Sequence, residues 1–219
     1  MALGEERLGQ LIEDIRNNRI TLPSLPEVAV KVRKYVDDPE MGTNQLSRII
    51  SADPVLSARL LQVANSPFFR CLNPSANLQS AINRLGAICV RNIVTSLVMA
   101  QLYKTNVSGE IKNRMKDLWE HTTKVAAYSH VISSKFSRLD PEQCMVAGLL
   151  HSIGYLPVLT ELGNNKELMA ETDQILASLE NSHPKIGQII LETWDFPEDV
   201  TEAVSNHRNL ERTHEGPAD

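Results

Sequence analysis

Four histidines, His121, His151, His183 and His207, are the residues of this 219-residue chain best placed by type and spacing to do chemistry. His151 closes an apolar run, Val146 to Leu150, and Gly154 follows it three positions later. An imidazole held in an apolar setting serves as a hydrogen-bond partner, a proton carrier or a metal ligand. A cluster of imidazoles suits a single borderline transition-metal ion such as Zn, Ni or Fe. The alternative is a set of relic histidines that bond to one another, to Ser152 or to water. Cys144, seven residues before His151, lacks a basic neighbour and reads as a small buried hydrophobe.

Helices must position these side chains. Alternating strand patterns are nearly absent, and helical periodicity recurs between proline and glycine punctuation. Leu8, Leu11, Ile12 and Ile15 form one face of a first helix. A second runs from Pro26 and ends at Asp37-Asp38-Pro39. Thr43 is expected to cap a third, and Asp53-Pro54 announces a fourth, with a capping carboxylate before proline at the first helical position. Leu78 to Leu85 reads as a short helix closed by Gly86, followed by an apolar helix from Ile88 to Leu102. The polar stretch Lys104 to Gly109 divides the chain into an N-terminal half, 1–105, and a C-terminal half, 106–219. A long helix then spans Glu110 to Phe136, where the spacing of Leu118, His121, Val125, Tyr128 and Ile132 predicts a buried stripe containing His121. His130 is expected to face solvent. Pro141 starts the helix that ends in His151. Another helix covers 165–179, His183-Pro184 opens the next, and a last one after Phe196-Pro197 carries Val200, Ala203, Val204 and His207 on one face.

The composition narrows the function classes. The formal charge of −5 argues against a DNA or RNA surface, and the 5% aromatic content argues against stacking platforms for single strands. No apolar run reaches the ~20 residues of a membrane span, so no membrane insertion is expected. Cys71, Cys89 and Cys144 are odd in number and widely spaced, which fits a reducing cytoplasm better than a disulfide framework.

An ordered set of motifs covers nearly the whole chain. It runs from Leu22-Pro23-Ser24-Leu25-Pro26 through Asp53 to Leu61, Asn65-Ser66, Ser80 to Gly86 and Val90-Arg91-Asn92, to Ala147–Gly154 and His183-Pro184-x-x-Gly187. In this order and spacing the set resembles the HDOD domain, an HD-related output domain of bacterial signalling proteins. The resemblance implies an all-α fold, a helical N-terminal bundle beside a half related to HD metal-dependent phosphohydrolases. It also implies a regulatory or scaffolding role, with a signalling protein or a nucleotide-type ligand as partner.

Against the HD pattern, His121, His151, His183 and His207 match histidine positions, and Ser152 stands where the aspartate belongs. Tyr155 stands where HD-GYP relatives usually carry a lysine, and the chain ends soon after His207, short of a late acidic ligand. A neutral hydroxyl cannot bridge metals or offset their charge, so a two-metal hydrolase is not expected. The leading expectation is a non-catalytic regulatory module without a cofactor. A degenerate phosphohydrolase with one metal on the four histidines is the second. The third is a cyclic-dinucleotide or other anion sensor using Arg59, Arg84 and Arg91.

Overall fold

The computed structural model describes residues 2–17, 19–36, 42–69, 74–104, 107 and 109–211. The expected helix end at Asp37–Pro39, and Cys71, lie outside the described residues. The architecture is all-α, with no strand among the described residues. In chain order the helices are α1 (Ala2–Arg16), α2 (Glu27–Val36), α3 (Thr43–Ser51), α4 (Pro54–Ala64), α5 (Leu78–Leu85), α6 (Ala87–Leu102), α7 (Gly109–Phe136), α8 (Pro141–Leu150), α9 (Tyr155–Asn164), α10 (Lys166–Met169), α11 (Thr172–Thr193) and α12 (Glu198–Asn206).

Two compact units emerge, and the division differs from the expected halves. One unit spans 24–101; the other joins 1–23 to 102–219. The first helix, expected with the N-terminal half, packs on α11. Leu8, Leu11 and Ile15 are all but fully buried, so its apolar face is the one foreseen. Fully burying a Leu or Ile side chain contributes roughly 1.5–3 kcal/mol.

In the 24–101 unit, α3 packs on α2, α4 and α5, and α4 on α5. Its core is built from Leu46, Ile50, Leu56, Leu60 and Ile82, each at 1% exposure or less. Asp53 caps α4, accepting from the Val55 and Leu56 amides at 2.9 and 3.0 Å with Pro54 in the first turn. Thr43 does not cap α3: Gly42 holds that position, and Thr43 instead accepts a bond from Gln79 Nε2 at 3.0 Å. Asn77, unremarked in the sequence, caps α5 in a reciprocal box with Ser80. Gly86 ends α5 at φ 80°, a backbone geometry that disfavours side chains. Asn65 ties the end of α4 to the following loop, accepting from Ser75 N at 2.8 Å and donating to Ser75 O at 3.2 Å.

In the second unit α7 and α8 form the most extensive pairing, while α12 packs on α8 and α11, and α9 on α7 and α11. The expected stripe on α7 is wrong by a rotation. His121 is exposed, Tyr128 and Ile132 are 67% and 57% exposed, and the buried positions are Ile111, Met115, Thr122, Ala126 and Ser133. The cause is the closeness of α8: a methyl built on Gly148 would lie 2.8 Å from Ala126 Cα and 2.9 Å from Ser129 Oγ. Small residues must occupy so tight a seam, and the bulky ones are left on its flank.

Pro184 does not open a helix; it lies inside the continuous α11. A proline there removes the N–H that would bond the Glu180 carbonyl. The His183 imidazole makes good part of that loss, bonding the Leu179 carbonyl through Nδ1 at 3.2 Å and also contacting the Glu180 backbone. In α12, Val200 and Val204 are buried as expected, whereas Ala203 is exposed.

The helical stretch Pro141–Asn164 has the length and apolarity of a membrane span, at mean hydropathy 1.3, and 61% of that window is buried inside the protein. The α5–α6 pair passes the same test only as a span bent by 113°.

Candidate functional site

The four histidines come from four places in the second unit: the middle of α7, the C-terminal ends of α8 and α12, and the interior of α11. They form a chain of rings. His121 and His151 have centroids 5.2 Å apart, His151 and His207 5.3 Å, and His207 and His183 5.2 Å. Between neighbours the Nε2 atoms meet, at 3.3 Å for His121 and His151 and at 3.2 Å for His183 and His207.

Backbone carbonyls set the tautomers. Nδ1 of His151 lies 2.7 Å from Gly148 O, Nδ1 of His183 3.2 Å from Leu179 O, and Nδ1 of His207 2.8 Å from Val204 O. A carbonyl can only accept, so these three Nδ1 atoms donate and their Nε2 lone pairs stay bare while the rings are neutral. The Nε2 atoms of His183 and His207 then face each other with no proton between them, an arrangement that favours a cation. A proton is a poor choice for His183. Its pKa is lowered to about 4, chiefly by burial, with backbone bonding opposing and neighbouring His207 assisting the shift. His151 is lowered to about 4 for the same leading reason, with His207 and His121 adding to it.

Ser152 is buried, and its Oγ lies 2.8 Å from His151 Nε2, so its hydroxyl donates to that lone pair. Tyr155 lies against His183 with centroids 4.3 Å apart, and its hydroxyl donates to Glu180 Oε2 at 3.1 Å. Arg208 Nη1 donates to Glu180 Oε1 at 2.6 Å. Burial first, then the Glu180 charge, pushes the Tyr155 phenol well above its usual range. The Arg208 bond, before other causes, holds the Glu180 carboxyl below its own. The sequence reading missed Glu180 and Arg208. Glu180 lies three residues before His183, a spacing that shares a helix face and was available as a signal.

The donor set fits some metal chemistry and not other kinds. A carboxylate-bridged pair of ions does not fit, because Ser152 brings no charge and Glu180 is spent on Tyr155 and Arg208. Among the described residues no group of three or more His, Cys, Asp or Glu closes around one point. What is present is two imidazole pairs. The edge of a tetrahedron with metal–nitrogen bonds of ~2.0–2.1 Å is roughly 3.3 Å, close to both Nε2 separations.

A groove of about 630 Å³ leads to this cluster, lined by His121, His151 and His207 together with Val125, Ile132 and Cys144 among others. Cys144 is half-buried. His130 is also half-buried rather than fully exposed, 3.3 Å from Glu142. Trp194 is buried and donates to Pro23 O at 3.0 Å, and Trp119 packs against Tyr103 with centroids 5.3 Å apart. Asp117 and Glu120 are exposed, the latter 3.8 Å from Lys116.

Arg59, Arg84 and Arg91 all belong to the 24–101 unit. Arg84 is turned onto the end of α4, donating to the Ala64 carbonyl and, at 3.3 Å, to Asn65 Oδ1. Arg59 and Arg91 are half-buried.

Comparison with known proteins gives the lineage. A protein of Treponema pallidum (strain Nichols), uncharacterized, is 22% identical over 205 residues, which is 86% of this chain but 38% of that protein. A Shewanella amazonensis SB2B structure, provisionally described as a metal-dependent phosphohydrolase, matches with TM-score 0.82 at 29% identity, covering 100% of this chain and 80% of the other. An HDOD domain protein of unknown function from Geobacter sulfurreducens matches with TM-score 0.71 at 23% identity, covering 95% and 72%. A Marinobacter aquaeolei VT8 structure, provisionally described as a signal transduction protein, matches with TM-score 0.69 at 21% identity, covering 98% and 52%. The HDOD domain family itself matches residues 22–210. By that match over most of its length, this chain belongs to the HDOD domain family.

Proposed function

We propose that the chain is a non-catalytic regulatory module of a bacterial cytoplasm, acting by binding a protein partner or a small regulatory ligand. One observation carries the reading: at the position where an HD hydrolase needs a carboxylate, Ser152 gives its hydroxyl to His151 Nε2 at 2.8 Å. That bond occupies the lone pair a metal would use and adds no negative charge with which to hold one. The chemistry of activating water on a metal therefore has no anionic support here. The test is steady-state hydrolysis of phosphomonoesters, phosphodiesters and cyclic dinucleotides by the purified chain with Mn, Fe, Ni or Zn supplied. The expected result is no turnover above the blank. Turnover that disappears in His151→Ala would overturn the reading.

A second reading is favoured by the facing Nε2 pairs, each of which, at 3.2 and 3.3 Å, spans one edge of a tetrahedral site, although the pairs do not close around one point in this structure. In it His121, His151, His183 and His207 would hold one Zn, Ni or Fe, and the ion would supply Lewis acidity. Elemental analysis before and after chelation separates the two. About one ion per chain, lost in His207→Ala, supports the second reading. The sensor reading requires Arg59, Arg84 or Arg91 to bind an anion, and Arg84 already donates to the Ala64 carbonyl and Asn65 Oδ1. Titration with cyclic dinucleotides, read as heat and thermal shift, is expected to give neither.

A further inference from the structure

The outer side of α7 leaves a row of large apolar side chains in water. Tyr128, Val131 and Ile132 are exposed, Phe136 is 83% exposed at the end of the helix, and Leu139 continues the row in the link to α8. At about 100° per residue, Tyr128, Ile132 and Phe136 fall along one stripe, with Val131 on its edge. Free side chains of this kind offer roughly 100–200 Å² each, so the five leave on the order of 600 Å² of mainly apolar surface, the top of the range that monomers expose. A standard interface removes about 800 Å² from each partner. The stripe therefore supplies most of what one side of a stable dimer needs.

The charges beside the stripe point to its occupant. Asp117, Glu120, Lys135 and Arg138 are all exposed, Arg138 just past the end of α7. Glu120 and Lys135 lie equally far along the chain from the point between Ala127 and Tyr128, and so do Asp117 and Arg138. Helical geometry carries all four to one flank of the stripe, the Val131 side. A second α7 laid antiparallel, with a two-fold axis at that point, sets Glu120 of each copy against Lys135 of the other, and Asp117 against Arg138. The same register brings Tyr128 beside its own symmetry mate and Phe136 beside Leu118, which is half-buried on the opposite flank. Within the chain Glu120 has Lys116 at 3.8 Å, a long contact that leaves the carboxylate side chain 53% exposed. An anionic membrane would be repelled by the two acids, and a partner of a single charge sign would meet the wrong sign at one end. A reversed copy meets the right sign at both.

We infer that α7 is the seam of an antiparallel homodimer, closed by the apolar stripe from Tyr128 to Leu139 and held in register by the Glu120–Lys135 and Asp117–Arg138 pairs, each made twice by symmetry. The inference goes beyond the regulatory reading and stands whether or not the histidines hold a metal. Ile132 and Leu139 also line the groove that leads to the histidine cluster. A second copy on α7 therefore sits at the rim of that groove, and its arrival or departure alters access to the cluster.

The experiment is sedimentation velocity of the full chain between about 1 and 100 μM, where a micromolar dissociation constant is read directly. The expected species is a dimer of twice the chain mass. Phe136→Asp and Tyr128→Asp should each weaken it about 30-fold or more, the scale of a central interface anchor. Both should leave the circular-dichroism melting temperature of the single chain unchanged, because these side chains already lie in water there. Glu120→Lys and Lys135→Glu should each weaken the dimer by about tenfold, since every exposed pair turned repulsive occurs twice. Mixed in equal amounts, these two variants should recover wild-type affinity as a heterodimer, because each altered residue then faces an opposite charge. Lys112→Glu, exposed on α7 but off the stripe, is expected to change nothing. A monomer throughout the range, a dimer indifferent to Phe136→Asp, or charge variants that fail to recover on mixing would each overturn the assignment. A monomer that floats with vesicles of anionic lipid would overturn it too, and would give the face to a membrane surface.

Discussion

Gly154 is where α9 begins against α11, and replacing it with alanine is a sharp test of the packing under the histidine cluster. Gly154 has helical dihedrals, φ −64° and ψ −15°, so backbone preference alone would make Gly154→Ala stabilising by up to about 1 kcal/mol. Packing demands the opposite. The new methyl would stand 2.0 Å from His183 O, 2.9 Å from His183 C and 2.8 Å from Gly187 N. Carbon and oxygen want roughly 3.5 Å, so one helix must retreat by about 1.5 Å, and backbone atoms cannot rotate away as a side chain would. Overpacking typically costs 1–3 kcal/mol and more where nothing yields, so a net loss of about 3 kcal/mol is expected. That is a large part of a usual folding stability of ~5–15 kcal/mol. Urea unfolding followed by circular dichroism and by fluorescence of the buried Trp194 gives the number. Gly9→Ala on α1, where nothing lies within 4 Å of the added methyl, is the matched control and should gain about 0.5–1 kcal/mol. If Gly154→Ala proves as stable as wild type, the close approach of α9 to α11, and with it the placement of His183, is refuted.

Removing the α4 cap with Asp53→Ala should cost about 1 kcal/mol in the same urea assay. Stability should be fully present above pH 6.5 and fall as the pH drops from 6.5 to 4, because His151 and His183 refuse in the folded state a proton that the unfolded chain takes up. Two such sites set a ceiling of about 2.7 kcal/mol per pH unit, and solvent screening of half-buried His151 brings the expected slope nearer to about 1; a flat profile over that window would contradict the buried neutral imidazoles. Ser152→Asp places a carboxylate at a buried position, so the metal-free variant should lose about 3–5 kcal/mol, and added Zn or Mn should restore part of it in thermal unfolding. Tyr155→Phe should cost at most about 1.5 kcal/mol, because a single hydrogen bond to Glu180 is lost while the ring contact with His183 remains.

What could be read in the sequence was what neighbours along the chain determine. The Asp53-Pro54 cap, the Gly86 stop and the apolar face of α1 each depend on a few adjacent residues, and each stands as expected. The errors lie where distant segments decide. The true buried face of α7 is chosen by Gly148 on α8, which admits Ala126 and Ser129 and leaves Tyr128 and Ile132 outward. Pro184 reads locally as a helix start, yet α11 runs through it, with the imidazole of the previous residue against the Leu179 carbonyl and the Glu180 backbone. The four histidines were legible as a set, whereas Glu180, which accepts from Tyr155, and Arg208, which donates to Glu180, were not, since these partners lie 25 and 28 residues apart.

The packing of α1 on α11 makes the chain's connectivity discontinuous. The 24–101 unit is a contiguous stretch and can complete its core as soon as it has been synthesised. The other unit cannot, because α1 waits for a surface that is made roughly 155 residues later. During that interval Leu8, Leu11 and Ile15 remain exposed to whatever apolar surface is nearest. Truncation ahead of residue 22 would spare every family motif and still strip the cover from α11, so domain boundaries drawn from the family match alone would yield a protein with an open hydrophobic seam.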